Sequence, residues 1–179
     1  MSKKTIAKIK EYPLSDDDIR AVLGNDIKIW NYPQLKGLEN AEEMFDKKGR
    51  AILLFPNVSP TSGHWTCLIN RPDSIEFFDS YGEAPDTTQK GGMSKGRLEM
   101  LDIERPDLTR LLRASGKPVF YNHHQFQKDS PNVSSCGKHC CVRLLYEPYS
   151  LEKYNKIIES SGLSADNFVS GVIYNKIRK

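Results

Sequence analysis

Cys136 is the residue whose surroundings most favour chemistry. It stands in Ser134-Ser135-Cys136-Gly137, directly before an apolar run of helical spacing, Cys140, Cys141, Leu144 and Leu145. The spacing places its thiol at a helix N-terminus. The helix dipole and the unpaired N–H groups of a first turn favour a thiolate there, and a nearby histidine would lower the pKa further. Gly137 has no side chain to obstruct an incoming carbonyl, and the Cys136 N–H can serve an oxyanion hole. A structural cysteine sits more comfortably inside a helix, where Cys140 and Cys141 fall.

Gly63-His64-Trp65 opens a strand-like segment and offers a general base. Partial burial beside an aromatic ring and a carboxylate can tune such an imidazole toward neutrality. Asp79 closes the next strand-like segment. In a hairpin the two strand ends meet at one sheet edge, where a carboxylate can accept the second imidazole N–H and hold the tautomer. Taken alone, His64 reads as an ordinary strand-end histidine and Asp79 as a turn residue. Their conjunction with Cys136 points to nucleophilic catalysis. Upstream of the cysteine, Asn122-His123-His124-Gln125-Phe126-Gln127 supplies two glutamines. A neutral amide suits an oxyanion donor, and Gln125 and Gln127 compete for that place.

The expected scaffold is α+β, with a small central, mostly antiparallel sheet flanked by helices. Ala51 to Phe55 is an apolar run closed by Pro56 and reads as a buried strand. Residues 64–70 and 74–79 read as antiparallel neighbours joined by Arg71-Pro72-Asp73, and Lys117 to Tyr121 as a further strand. Ser15 followed by three aspartates marks a helix start that runs through Ile19, Val22 and Leu23 to Gly24. Residues 39–47 suggest a second short helix, and Leu108, Leu111 and Leu112 another that begins near Pro106. A helix over about 136–146 carries the cysteine, and two more, 150–160 and 164–177, are capped by Ser150 and Ser164. Residues 81–96 hold four glycines and a proline with almost no apolar side chains, and read as a mobile surface loop. We expect one domain over 1–179, with a catalytic core of about 51–146, an N-terminal helical segment 1–50 and C-terminal helices 150–177.

With 179 residues, 38% hydrophobic and 27% charged, the chain suits a soluble domain able to bury its own core. No apolar run approaches the ~20 residues of a membrane span, and none follows the basic start MSKKTIAKIK as in a secretory signal. No membrane association is expected, and the chain is expected inside a cell or a particle assembled there. The net charge of +3 permits weak, salt-sensitive attraction to nucleic acid or an acidic partner, although a solvated surface is the favoured explanation. Cysteines fall at 67, 136, 140 and 141, and three of them crowd into six positions, a poor disulfide framework. Zinc is the rival use of Cys136, His139, Cys140 and Cys141, with His123 and His124 nearby. The spacings lack two separated knuckle pairs, and neighbours on one helix face different ways, so neither metal nor cofactor is expected. Cys67 alternates with His64 and Trp65 and reads as core.

Taken in order, these segments resemble the adenovirus maturation protease (adenain) and the related proteases of giant viruses, virophages and virus-like transposons. More distantly they resemble the ubiquitin-like-protein (SUMO) proteases. His64-Trp65 matches the His-Trp of that pattern, Phe77-Phe78-Asp79-Ser80-Tyr81-Gly82 its acid segment, and Ser135-Cys136-Gly137-Lys138-His139-Cys140 its nucleophile segment. The likeness runs from about Ile52 to Tyr146. It implies a papain-like or adenain-like cysteine protease fold in which Cys136 attacks, His64 shuttles the proton and Asp79 orients His64. A glutamine and the Cys136 N–H would stabilise the oxyanion, and Trp65 would wall the site. In the family the glutamine usually lies closer to the cysteine; here Gln127 is nine residues before it and Gln125 eleven. Gln127 is nearer and follows Asn122 at the five-residue interval of viral members, so it is taken as the donor, with Lys128 to Ser134 as an enlarged loop.

The resemblance further implies a monomeric cysteine endopeptidase that cuts viral capsid or core precursors after small residues, often glycine. It would act at assembly sites in the host cytoplasm or nucleus and be packaged in the virion. Some relatives need a peptide or DNA activator, with which the mild positive charge is compatible. Relatives also cut after pairs such as Gly91-Gly92, but Gln89 stands where a large apolar residue is usual. Two other readings stay open: an isopeptidase of the deubiquitinase or deSUMOylase type, and a non-catalytic interaction module.

Overall fold

Five strands form one mixed sheet in chain order: β1 (Lys28–Asn31), β2 (Arg50–Ser59), β3 (Ser62–Asn70), β4 (Ile75–Phe78) and β5 (Val119–Tyr121). They belong to a computed structural model that describes residues 3–87 and 90–177. The central pairings, β2 with β3 and β3 with β4, are antiparallel hairpins, while the outer pairings, β1 with β2 and β4 with β5, are parallel. The helices are α1 (Lys3–Glu11), α2 (Asp16–Leu23), α3 (Lys95–Met100), α4 (Asp107–Ala114), α5 (Cys136–Leu145), α6 (Leu151–Ser160) and α7 (Ala165–Ile177).

The sheet separates two apolar clusters, so the fold is α+β with helices on both faces. On one side Ile19 and Val22 of α2, Cys140, Cys141, Val142 and Leu144 of α5, Tyr154 of α6 and Val169 of α7 pack on Trp65, Cys67 and Ile69. On the other, Leu108, Leu111 and Leu112 of α4 join Tyr32, Leu35 and Met44 against Leu53, Phe55, Leu68 and Phe77. The period-two alternation of β3 sends odd and even residues to opposite clusters. Cys67 is core, as its alternation suggests.

Local chemistry explains most element boundaries. At α2, Ser15 Oγ accepts the Asp18 N–H at 3.2 Å while Asp18 Oδ2 accepts the Ser15 N–H at 2.9 Å, a complete capping box. Ser150 caps α6 through the Lys153 N–H at 3.2 Å. Other expectations change. The strand expected to close at Pro56 runs on to Ser59 through a register irregularity, where a residue without an N–H is tolerated. The helix expected over 39–47 is a single 3-10 turn, Ala41–Met44, capped by Asn40. The segment 1–50, expected to be helical, holds α1 and α2 but is interrupted by β1, and α3 falls partly in the segment expected to be a loop. The described residues of 81–96 are tethered by polar side chains, although the segment's composition suggests a free loop. Asp86 accepts from the Tyr32 hydroxyl and from the Thr109 N–H at 2.8 Å, and Lys90 Nζ donates to the Arg105 carbonyl at 2.6 Å. Residues 88 and 89, including the Gln89 of the glycine-pair reading, lie outside the described residues.

Among the described residues no helix is long and apolar enough to cross a membrane.

Candidate active site

The β2–β3 register opposes Pro56 to Gly63 and Phe55 to His64, at the end of the hairpin. A Cβ on Gly63 would lie 1.9 Å from the Phe55 carbonyl oxygen, so only glycine permits the close strand approach that places His64. β4 ends at Phe78, and Asp79 follows at the same sheet edge. His64 Nε2 lies 2.8 Å from Asp79 Oδ1. The backbone of Asp79 is itself bracketed: its N–H donates to Asn122 Oδ1 at 3.0 Å, and Asn122 Nδ2 donates to its carbonyl at 2.6 Å. Asp79 Oδ1 also accepts the Tyr81 N–H at 2.8 Å, and the Tyr81 ring packs on the imidazole with centroids 5.1 Å apart.

Cys136 opens α5, whose residues Gly137 to Leu144 are all buried. No side chain caps this helix: Ser135 Oγ donates to Asp166 Oδ1 at 2.5 Å instead. Cys136 lies beside His64, with the backbone N–H groups of Trp65 and Gly137 near its sulfur. With Nε2 engaged by Asp79, Nδ1 is the ring nitrogen left for the thiol.

The electrostatics follow. Burial alone would raise the Cys136 thiol pKa, but the hydrogen bond and charge of His64, with the two N–H donors, carry it below its ordinary value. Burial likewise opposes the His64 imidazolium, and the bonds and charges of Asp79 and Cys136 override it, raising the pKa to about 10. Both shifts favour the charged forms, thiolate and imidazolium, over the neutral pair. Burial has the opposite result for Cys140 and Cys141, which lack such partners and have raised pKa values. Among the described residues no three His, Cys, Asp or Glu side chains gather where they could hold a metal ion. Cys140 turns its thiol to the Trp65 carbonyl at 3.3 Å, and His139 turns to Asp166.

His64, Asp79, Gln125, Gln127 and Cys136 all line one cleft of about 940 Å³. The two glutamines differ sharply there. Gln127 is buried, its Oε1 accepting from Ser80 Oγ at 2.8 Å and its Nε2 donating to the Tyr81 hydroxyl at 3.1 Å and the Val133 carbonyl at 3.3 Å. Gln125 is exposed and donates to the Gln127 carbonyl at 2.9 Å. Gly91 and Gly92 line the same cleft.

Two contributions went unseen in the sequence. The carbonyls of Lys10, Tyr12 and Leu14 accept from the Ser134 N–H at 3.0 Å, from Lys138 Nζ, and from Trp65 Nε1 at 3.1 Å. One N-terminal strap thus holds the residues on either side of Cys136 and the neighbour of His64. Backbone acceptors leave no signature in residue type. Lys138, fully buried within α5, was a hint, since a buried cation must find acceptors. The other is Asp166, described below.

No family model matches the sequence. Over 157 residues, 87% of this chain and 89% of its relative, it is 33% identical to the uncharacterized protein V9 of the Sputnik virophage. The chain belongs to the V9 family. Beyond V9, the structure is similar to the central domain of the uncharacterized Lpg1148 protein from Legionella pneumophila, with a TM-score of 0.45 and 20% identity over 93% of this chain and 96% of that one. It is also similar to the SUMO protease Ulp1 with its catalytic cysteine oxidised to a sulfinic acid, with a TM-score of 0.43 and 12% identity over 99% of this chain and 84% of that one.

Proposed function

We propose that this V9-family protein is a cysteine endopeptidase with Cys136 as nucleophile, His64 as proton carrier, Asp79 as its orienting carboxylate and Gln127 as oxyanion donor. The observation that carries the reading is the meeting of Asp79, His64 and Cys136 in one cleft, with His64 Nε2 2.8 Å from Asp79 Oδ1 and the thiol at the uncapped N-terminus of α5.

The thiolate attacks the peptide carbonyl carbon, and the carbonyl electron pair moves to oxygen. That oxygen is met by the Cys136 N–H and by Gln127 Nε2, which exchanges its bond to the Tyr81 hydroxyl for one to the oxyanion. The imidazolium of His64 gives its proton to the departing amine as the C–N bond breaks, leaving a thioester. Neutral His64 then takes a proton from water, the hydroxide displaces the thiolate, and the acid product leaves. Ser80 supports this arrangement, because its hydroxyl occupies Gln127 Oε1 and so aims the NH2 group.

The substrate we favour is a viral capsid or core precursor, cut after small residues, because the relative that defines the family is encoded by a virophage. Wild type and Cys136→Ala should be incubated with a candidate precursor, and separately with ubiquitin and SUMO vinyl-sulfone probes. Precursor cleavage that disappears in the variant supports the maturation reading. Labelling by a modifier probe would replace it with the isopeptidase reading. If there is neither cleavage nor labelling, and iodoacetamide shows no preference for Cys136, the enzyme reading fails.

A further inference from the structure

Asp166, in the first turn of α7, lies outside every motif that points to catalysis. Its buried carboxylate nevertheless gathers three donors. Oδ1 accepts from Ser135 Oγ at 2.5 Å and from His139 Nε2 at 3.0 Å, and Oδ2 accepts the Lys128 N–H at 3.1 Å. Lys128 directly follows Gln127, and Ser135 directly precedes Cys136. One carboxylate therefore pins both ends of the loop 128–135, next to the two groups that would receive the oxyanion.

We propose that Asp166 is the positioning residue of the oxyanion hole, setting the separation between the Gln127 amide and the Cys136 N–H. The inference rests on the endopeptidase reading and concerns a residue that would never touch the substrate. The loop 128–135 has no helix or strand to hold it. Its other ties are the Val133 N–H to the Ser130 carbonyl and the Ser134 N–H to the Lys10 carbonyl, each at 3.0 Å, with Val133 accepting from Gln127 Nε2 at 3.3 Å and Ser134 from Lys138 Nζ at 2.9 Å. The Ser80 carbonyl holds the Gln127 N–H at 2.9 Å and the Lys10 carbonyl holds Ser134, but among the described residues only Asp166 ties the two ends of the loop to each other through one group. His139 braces that anchor. To donate from Nε2 it must carry its proton there, and its buried Nδ1 has no partner, which suits a neutral ring. Burial lowers the His139 pKa in agreement. The three donors also keep Asp166 anionic, lowering its pKa against the effect of burial.

The test is Asp166→Asn, which conserves shape but turns an NH2 group toward at least one existing donor. Misplacing oxyanion donors is expected to lower kcat on the order of 10²-fold with little change in KM. The rate and pH profile of Cys136 alkylation by iodoacetamide should stay at the wild-type values, since the Asp79–His64–Cys136 chain is untouched. Ser135→Ala, which removes one of the three bonds, should lose less. Amide hydrogen exchange across residues 127–136 should accelerate in both variants and stay unchanged in α6. An unchanged kcat, or a kcat loss matched by an equal loss of alkylation rate, overturns the proposal. If wild type cleaves nothing, the endopeptidase reading falls. The exchange data still judge Asp166 in that case, and protection of 127–136 equal to wild type overturns it.

Discussion

Replacing Asp79 with asparagine removes one charge and almost no volume at a residue that is 1% exposed. The carboxylate oxygen lies 2.8 Å from His64 Nε2, which puts the charge centres about 4 Å apart. At an effective dielectric near 20 their attraction is about 4 kcal/mol, or about 3 pKa units. Burial pulls the imidazolium pKa down, and the bonds and charges of Asp79 and Cys136 raise it to about 10. Because the shift is upward, the imidazolium persists through neutral pH and is lost as pH rises through about 10. Without Asp79 that loss should begin about 3 units lower, near pH 7. At pH 8 about nine-tenths of the imidazolium would then be gone, and with it much of the thiolate that it stabilises. Together with loss of ring orientation, kcat/KM should fall about 10²-fold. The assay is kcat/KM on a cleavable peptide from pH 5 to 11, alongside the alkylation rate of Cys136, both read as titrations of the coupled pair. If the alkaline limb of Asp79→Asn coincides with that of wild type, the electrostatic reasoning is wrong.

Gln127→Ala should lower kcat by about 10²-fold, at least ten times more than Gln125→Ala; comparable losses in steady-state kinetics would return the oxyanion assignment to Gln125. Arg143→Met should destabilise the fold by about 3–5 kcal/mol, with thermal unfolding about 10 °C lower. The buried guanidinium donates to both Glu76 oxygens at 2.6 and 2.9 Å and to the Tyr146 and Tyr149 carbonyls at 2.8 Å each. A loss below about 1 kcal/mol would show that Arg71, also on Glu76, suffices to neutralise it. Deleting residues 1–14 strips the carbonyls that hold Ser134, Lys138 and Trp65. Peptide cleavage and Cys136 alkylation should both fall, and a truncated protein with wild-type rates in both assays would remove the strap from the site.

What the sequence determined by itself was local. Ser15 with Asp18 starts α2 because a hydroxyl and a carboxylate three residues apart can reciprocally cover backbone N–H groups. The alternation of residues 64–70 and the Arg71-Pro72-Asp73 turn declare a hairpin, and its register puts His64 and Asp79 at one edge. The apolar spacing after Cys136 puts the thiol at a helix start. Each of these depends on neighbours within a few residues along the chain. β1, by contrast, is a four-residue strand held by parallel pairing with β2, and nothing local announces it. The burial of Gln127 likewise required Ser80, Tyr81 and Val133 to be brought around one amide, while Gln125 stays exposed. Asp166 and the carbonyls of residues 10–14 reach the site from both ends of the chain. Their contacts connect residues far apart in sequence, through backbone groups and a single buried charge, and only the packed molecule selects such partners.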